Sequence, residues 1–245
     1  DDTQSAVTVD TSSEAVARIF ADHDWITAPV VDENNVLLGR ITIDDVVDII
    51  RYQAEHQVMS AAGLDEEEDL FSPVPRAVRR RLVWLGINLA TAFLAASVVG
   101  RFEGTIEKIV ALAILMPIVA GMGGNAGTQV LALMIRGLAL GQVSASNVAA
   151  LLWKELRVAL MNGIVLGLLL GVIVWLWFRD PALSLVIASA LTINLLSAAS
   201  AGVVVPMTLK RLGFAPALAG GVILTTVTDV MGFLAFLGLG TVFLL

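Results

Sequence analysis

The stretch VALMNGIVLGLLLGVIVWLWF, residues 158–178, contains no charged side chain and is long enough to cross a lipid bilayer as a helix. A transmembrane helix needs about 20 predominantly apolar residues. Four more apolar stretches flank it, at residues 82–100, 106–135, 182–205 and 215–245. The sequence therefore predicts an all-α polytopic membrane domain with five transmembrane helices over residues 82–245.

The residues before position 82 differ in composition from this apolar part. The whole chain of 245 residues is 57% hydrophobic and only 15% charged, whereas a soluble domain carries about 25% charged residues. The shortage of charge is confined to the apolar part, and residues 1–81 read as ordinary soluble protein. This contrast predicts a separate N-terminal α/β unit, joined to the membrane domain by a connecting helix and linker over residues 56–81.

The N-terminal part alternates short apolar runs with helix-capping residues, which predicts a β-α-β-β-α unit. Ser12 or Ser13 is expected to cap the first helix, and Asp44 or Asp45 the second. The turn sequence DENN, residues 32–35, separates two short strands. The chain starts without Met inside this unit, so we expect residues to precede it, and its first residues show no signal-peptide pattern.

The charge balance restricts the partners. The formal net charge is −7, and an acidic run occupies residues 65–69. Nucleic-acid binding needs a basic face, so no nucleic-acid partner is expected, and a cationic ligand is compatible with this composition. The acidic run could equally be a solvated linker. The chain has no Cys, which excludes disulfides and thiolate metal sites.

Lys and Arg predict the orientation in the membrane. If the N-terminal unit is cytoplasmic, nine basic residues flank the spans on the inside, and only Arg101, Lys108 and Arg179 lie outside. Cytoplasmic flanks normally carry the excess. We therefore expect a multi-pass protein of the cell (inner) membrane, surrounded by the lipid bilayer, with its N-terminus inside and its C-terminus outside. The inside set is Arg76, Arg79, Arg80, Arg81, Arg136, Lys154, Arg157, Lys210 and Arg211.

Asp229 is the one carboxylate in the last apolar stretch. An Asp at the centre of a membrane helix costs about 2.5–3.5 kcal/mol on insertion scales, so it is a candidate functional residue. On a helix it shares a face with Thr225 and Thr226, and Gly232 leaves room beside it. These residues predict contact with an ion. The alternative is a protonated carboxyl bonded to a neighbouring helix.

The stretch PIVAGMGGNAGTQ, residues 117–129, places one Pro, four Gly and three polar side chains inside a membrane span. Pro117 cannot donate a backbone hydrogen bond, and Gly permits an irregular backbone, which at membrane depth occurs only where it is buried or lines water. Exposed carbonyls there would suit a hard cation. The alternative is helix packing through Gly123 and Gly127. Packing alone is predicted for the glycines of the third span, Gly163, Gly167 and Gly171.

The membrane part offers carboxylate, hydroxyl and carbonyl oxygens, without His or Cys. Zn²⁺ and Cu²⁺ sites would require His or Cys, whereas Mg²⁺ binds oxygen and sheds its water reluctantly. The residues themselves favour a hard cation and leave Mg²⁺, Ca²⁺ and Na⁺ open.

The segment GRITIDD, residues 39–45, resembles the strand-to-helix motif of CBS domains. The resemblance assigns residues 1–55 to a partial CBS domain. It implies that Thr42 and Asp45 contact the ribose and phosphate of an adenine nucleotide such as ATP. The alternative is that both residues cap the following helix.

The segments GMGGNAGTQ (residues 121–129) and RGLA (136–139), TDVMG (228–232) and a CBS unit joined by a helix resemble the MgtE family of magnesium channels. The resemblance covers essentially the whole chain. It implies a homodimer with a pore lined by the second and fifth helices, in which Asp229 faces a hydrated Mg²⁺. It places six further residues beside the pore: Gly121, Gly124, Asn125, Thr128, Gly221 and Thr225.

The same resemblance implies regulation. Cytosolic Mg²⁺ would bridge acids of the soluble part and the connecting helix, and would thereby let mutually repelling carboxylates pack together and close the pore. The candidate regulatory metal ligands in this sequence are Asp44, Asp48 and Glu55, with the acidic run at residues 65–69.

Three functions follow from these observations. We expect a Mg²⁺-selective channel, not an enzyme, that passes hydrated Mg²⁺ and is gated from the cytoplasmic side. A proton- or Na⁺-coupled divalent-cation transporter is the alternative, because broken helices near the midplane also suit transporters. A non-transporting membrane sensor would need neither Asp229 nor the glycine run.

Overall fold

A computed structural model describes residues 6–61, 64, 71–144, 146–214 and 216–245. The chain divides into two compact units, one within Asp1–Asp69 and one within Leu70–Leu245. This division follows the change in the sequence from ordinary soluble composition to apolar spans.

The N-terminal unit is the predicted β-α-β-β-α arrangement. β1 pairs in parallel with β2, and β2 pairs antiparallel with β3. A small core, including Phe20 of the first helix and Val46 of the second, packs against the sheet. The elements are β1 (Val7–Thr8), α1 (Ser13–His23), β2 (Thr27–Val31), β3 (Leu37–Thr42) and α2 (Ile43–Ala61).

Local hydrogen bonds explain where these elements begin and end. Ser12 caps α1 by accepting the backbone N–H of Ala15 at 3.3 Å, which confirms one of the two predicted caps. In the predicted turn, the carboxylate of Asp32 accepts the N–H groups of Asn34 at 2.9 Å and Val36 at 2.8 Å. These bonds hold the hairpin between β2 and β3.

The described part of the chain contains five helices that are long and apolar enough to cross a membrane. Together with the α/β unit they confirm the predicted fold class. A short helix follows the first membrane span and is separate from the helix of the second span. The helices are α3 (Val74–Gly100), α4 (Glu103–Lys108), α5 (Val110–Ala139), α6 (Val148–Phe178), α7 (Pro181–Arg211) and α8 (Pro216–Leu244).

α7 is the central helix of the membrane unit. It packs against α5, α6 and α8, whereas α3 packs along α8. The seam between α6 and α7 depends on glycine: a Cβ at Gly163 would lie 2.8 Å from the side chain of Thr192, and one at Gly167 would lie 2.9 Å from the carbonyl oxygen of Ala188. The glycines of α6 therefore serve close packing, as the sequence predicts.

α5 remains a continuous helix through Pro117 and the glycine run that follows it. Among the described glycines, positive φ occurs only at Gly141 and Gly213, which lie outside this run. The expectation of an irregular backbone here is wrong. Membrane helices tolerate Pro and Gly where neighbouring helices pack closely, and both α7 and α8 pack against α5.

Candidate ion pathway

The carboxylate of Asp229 lies near the middle of α8 and is half-buried. Within the described residues it forms no hydrogen bond and no ion pair. The alternative expectation, a carboxyl bonded to a neighbouring helix, is therefore not met in this part of the chain. No described residue of the protomer therefore compensates this carboxylate.

Thr225 lies one turn before Asp229, with Gly221 one turn earlier on the same face. Thr225 is exposed and donates its hydroxyl hydrogen to the carbonyl oxygen of Gly221 at 2.9 Å. Thr226 makes the equivalent bond to Val222 at 2.7 Å. Since the hydroxyl hydrogens are used within the helix, the hydroxyl oxygens present lone pairs on this side of α8. Such acceptors suit the water shell of a cation.

The glycines of α5 and α8 fall into two sets. A Cβ added at Gly121, Gly124 or Gly221 would meet no atom within 4 Å. In contrast, a Cβ at Gly127 would lie 3.0 Å from the side chain of Leu224 on α8. The predicted pore glycines thus face open space in the protomer, and the predicted packing glycines face its core.

Two of the three polar residues of the run lie on the open side of α5. Asn125 and Thr128 are exposed, and Thr128 donates its hydroxyl to the carbonyl oxygen of Asn125 at 2.9 Å. Both lie at helical spacing from Gly121 and Gly124. We call the open residues of the two helices the oxygen-rich face. Its members are Gly121, Gly124, Asn125 and Thr128 of α5, and Gly221, Thr225 and Asp229 of α8.

The space at Gly232 is not free, contrary to expectation. A Cβ there would lie 2.7 Å from the Nδ2 atom of Asn194, which fills it from α7. The space beside a glycine can be filled by a side chain of a neighbouring helix. The sequence of α8 alone does not predict which side chain that is. Asn194 was itself missed by sequence reasoning, although a lone amide in an apolar span is a signal for a functional residue.

Glu155 is a second residue that sequence reasoning missed. It is only 7% exposed, and its carboxylate lies 3.2 Å from the ammonium group of Lys154. A cavity of about 130 Å³ adjoins it, with Gln129 and Asn162 in its lining. Because Glu155 lies near the start of α6 between Lys154 and Arg157, the sequence indicated an exposed, charged helix end.

In the N-terminal unit, Thr42 and Asp45 are brought together by the start of α2. The carboxylate of Asp45 accepts the backbone N–H of Thr42 at 2.9 Å and its hydroxyl at 2.7 Å. The backbone hydrogen bond is the main reason that the pKa of Asp45 lies below its usual range, with the hydroxyl bond second. This is the helix-capping arrangement that was the alternative to nucleotide binding.

The candidate regulatory acids are not assembled into a site. Asp44 and Asp48 are exposed on α2, and Glu55 pairs with Arg51 at 3.2 Å on the surface of the same helix. Among the described residues, no group of three or more His, Cys, Asp or Glu side chains could hold a metal ion. The acidic run at residues 65–69 lies outside the described residues.

Comparison with known proteins gives the same two-part division. A family profile described as a divalent cation transporter, MgtE, matches residues 116–239, which is half of the chain. A CBS domain profile matches residues 5–52. The first match contains every residue of the oxygen-rich face.

Three proteins named magnesium transporter MgtE are similar over most of the chain. The one from Bacillus subtilis is 35% identical over 233 residues, which cover 94% of this chain and 51% of that protein. Those from Enterococcus faecalis and Thermus thermophilus are each 34% identical, over 98% and 97% of this chain and 52% and 53% of their own lengths. The chain spans about half the length of the curated relatives it matches. It belongs to the MgtE family of divalent cation transporters.

Proposed function

We propose that the membrane unit forms a Mg²⁺-selective channel that passes hydrated Mg²⁺ and is gated from the cytoplasmic side. The observation that carries this proposal is the carboxylate of Asp229, which lies in a membrane-spanning helix without a partner among the described residues. An intramembrane charge of this kind requires compensation. A cation passing along the oxygen-rich face supplies it.

The chemistry of this face supports a hydrated ion over a dehydrated one. It offers one carboxylate, two threonine hydroxyls and an amide, fewer charged ligands than a site that strips Mg²⁺ of its water would need. Mg²⁺ usually keeps several waters when proteins bind it through one or two carboxylates. The open glycines leave room for those waters beside the helices. Relatives named as magnesium transporters support the choice of ion.

The proposal includes a homodimer. In one protomer the oxygen-rich face is open, and α3 exposes large apolar side chains such as Leu85, Leu89 and Phe93. Two copies related by symmetry would place two faces, and two Asp229 carboxylates, around one pathway. The apolar surface of α3 would pack on the second copy or on lipid. The N-terminal unit would lie in the cytoplasm and the C-terminus outside.

The cytoplasmic gate remains part of the proposal. Asp44, Asp48 and Glu55 would take up Mg²⁺ between CBS units that are held apart by their negative charge at low Mg²⁺. Adenine nucleotide would bind at the start of α2, where Thr42 and Asp45 meet. The acids of both parts are exposed on α2, and Thr42 is the residue that precedes this helix.

The experiment is Mg²⁺ flux into liposomes that contain the purified chain, compared with Asp229→Asn. The substitution keeps the shape and removes the charge, so we expect flux to fall about tenfold or more, as for the loss of a charge-assisted contact. Glu107→Gln, at an exposed acid of α4, is the matched control and should leave flux unchanged. Equal flux through the Asp229→Asn protein would contradict the proposal.

A second candidate function is proton- or Na⁺-coupled transport of divalent cations. The observation that favours it is Glu155, a buried carboxylate in the membrane unit, beside a cavity whose lining includes the side-chain amides of Gln129 and Asn162. Coupled transport requires such a group to exchange ions, whereas a channel does not. In the same liposomes, Mg²⁺ flux that follows an imposed proton or Na⁺ gradient would select this function.

A further inference from the structure

Asn194 lies near the middle of α7, and none of its surface is exposed. α7 packs against α5, α6 and α8, so this amide is located where the two helices of the oxygen-rich face meet a third. Its Nδ2 atom donates to the backbone carbonyl of Val119 on α5 at 2.8 Å. Its Oδ1 atom has no hydrogen-bond partner among the described residues. Asn194 thus links α7 to α5 through a buried hydrogen bond.

Two glycines create the space that this side chain occupies. A Cβ at Gly123 would lie 2.7 Å from the Cγ atom of Asn194, and one at Gly232 would lie 2.7 Å from its Nδ2 atom. Gly123 belongs to α5 and Gly232 to α8, so one amide contacts both helices. Gly232 follows Asp229 by three residues, which is about one turn. Because protein interiors are close-packed, a shift of α5 against α8 would disturb these contacts.

An apolar side chain of similar shape, such as Leu, could fill the same space without burying an amide. A buried amide oxygen without a partner costs free energy, and the hydrogen bond to Val119 offsets that cost. A hydrogen bond is directional, whereas apolar contact is not. The bond therefore restricts how α5 rotates and slides on α7 in a way that apolar packing would not.

We propose that Asn194 is a positioning residue that sets the distance between Asp229 on α8 and the open side of α5, and thereby the selectivity among hydrated divalent cations. The proposal rests on the proposed function, in which hydrated ions pass along these two helices. Mg²⁺ and Ca²⁺ differ in size and in how readily they lose water. A pathway whose width is fixed by a hydrogen bond discriminates between them better than one whose walls can shift.

The test compares Mg²⁺ and Ca²⁺ flux into liposomes for the unchanged chain and for Asn194→Leu. We expect an assembled protein whose ratio of Mg²⁺ to Ca²⁺ flux falls about threefold or more, the effect expected from one lost hydrogen bond. An assembled variant with an unchanged ratio would overturn the proposal. The control is Asn88→Leu, because the amide of Asn88 donates within its own helix, to Trp84 at 3.1 Å. Its ratio should stay at the wild-type value.

Two further variants keep the test decisive if the leucine variant does not assemble. Asn194→Ala removes the amide without adding bulk, and the same fall in the ratio is expected. In the double variant Gly123→Ala/Asn194→Ala, a methyl group refills part of the space but no hydrogen bond forms, so the ratio should stay low. A ratio that returns to the wild-type value would show that packing alone is responsible, and would overturn the proposal.

Absence of Mg²⁺ flux through the unchanged chain would contradict the proposed function itself.

Discussion

At the scale of single residues, the carboxylates of Asp229 and Asp45 differ in whether they have hydrogen-bond partners. The carboxylate of Asp229 has no partner in the described part of the protomer, whereas that of Asp45 is occupied by two hydrogen bonds from Thr42. An open carboxylate in a membrane span attracts a cation. An occupied carboxylate at a helix start stabilises the helix. In the proposed pathway Asp229 therefore remains available to an ion, whereas Asp45 is hydrogen-bonded at the helix start.

The pair at the start of α2 gives a prediction with a defined pH dependence. Since the pKa of Asp45 is lowered in the folded unit, mainly by the Thr42 backbone bond, its stabilising effect is present above its usual pKa and is lost as the pH falls through the lowered value. Asp45→Asn should therefore speed hydrogen exchange at the start of α2 near neutral pH, measured by mass spectrometry. The difference from wild type should shrink in acid.

The same exchange measurement provides the control and a test of nucleotide binding. Asp44→Asn, at the neighbouring exposed acid, should change exchange less. If the pair also binds an adenine nucleotide, ATP should slow exchange in this segment of the wild type and not in Asp45→Asn. Equal exchange in Asp45→Asn and wild type at neutral pH would contradict the capping role.

At the scale of elements, glycine has two separate uses in the membrane helices. Gly163 of α6 lets the helix lie against α7, where a Cβ would come within 3.0 Å of the backbone of Thr192. Gly124 of α5 has open space in the position of its missing side chain. One use supports assembly, and the other leaves room beside the oxygen-rich face. Neither requires an irregular backbone, since both helices remain continuous.

The two uses predict opposite results for the same substitution. Gly163→Ala should lower the thermal stability of the detergent-solubilised protein, by about 1–3 kcal/mol, because backbone atoms of α7 cannot yield easily. Gly124→Ala should leave stability nearly unchanged and reduce Mg²⁺ flux, because its methyl group occupies space beside the pathway. Thermal unfolding and flux are measured on both proteins. Unimpaired flux in Gly124→Ala would argue that this side of α5 does not line the pathway.

The sequence predicts elements well and contacts between elements poorly. Five spans and the small α/β unit follow from patterns within one segment, whereas the position of Gly121 beside a pore was implied only by the family resemblance. The filling of Gly232 by Asn194 does not follow from such a pattern, because it depends on how α7 lies between α5 and α8. The continuity of α5 through Pro117 was missed for the same reason, since packing by neighbouring helices is not visible in the sequence of one helix.

At the scale of the whole molecule, the number of spans and the positions of the basic residues predict the orientation in the membrane. Five spans would put the two ends of this chain on opposite sides. In the proposed orientation, the loop at residues 140–147 and the end of α7 at Lys210 and Arg211 would share the cytoplasmic side with the N-terminal unit. The connection at Arg179 and Asp180 would lie outside.

Thiol labelling tests this orientation directly, because the 245 residues of this chain include no Cys. Arg179→Cys should react with a membrane-impermeant maleimide added to intact cells, and Ser146→Cys should react only in inverted vesicles. Both positions are exposed and lie between helices. The reverse labelling pattern would show that the N-terminal unit is outside, and would contradict the proposed gating from the cytoplasmic side.

The two-residue connection between α6 and α7 has a consequence for biogenesis. Arg179 adopts a left-handed conformation and Asp180 caps α7, so the chain reverses direction almost at once. Closing so short a loop costs little chain entropy, and the glycine seam provides contacts between neighbours in sequence. We expect these two helices to pair as a hairpin soon after they leave the translocon. Because α5 precedes this hairpin in the chain, we expect α5 to be in the membrane already when α7 is inserted. The hydrogen bond from Asn194 to Val119 would then form when the hairpin packs against α5.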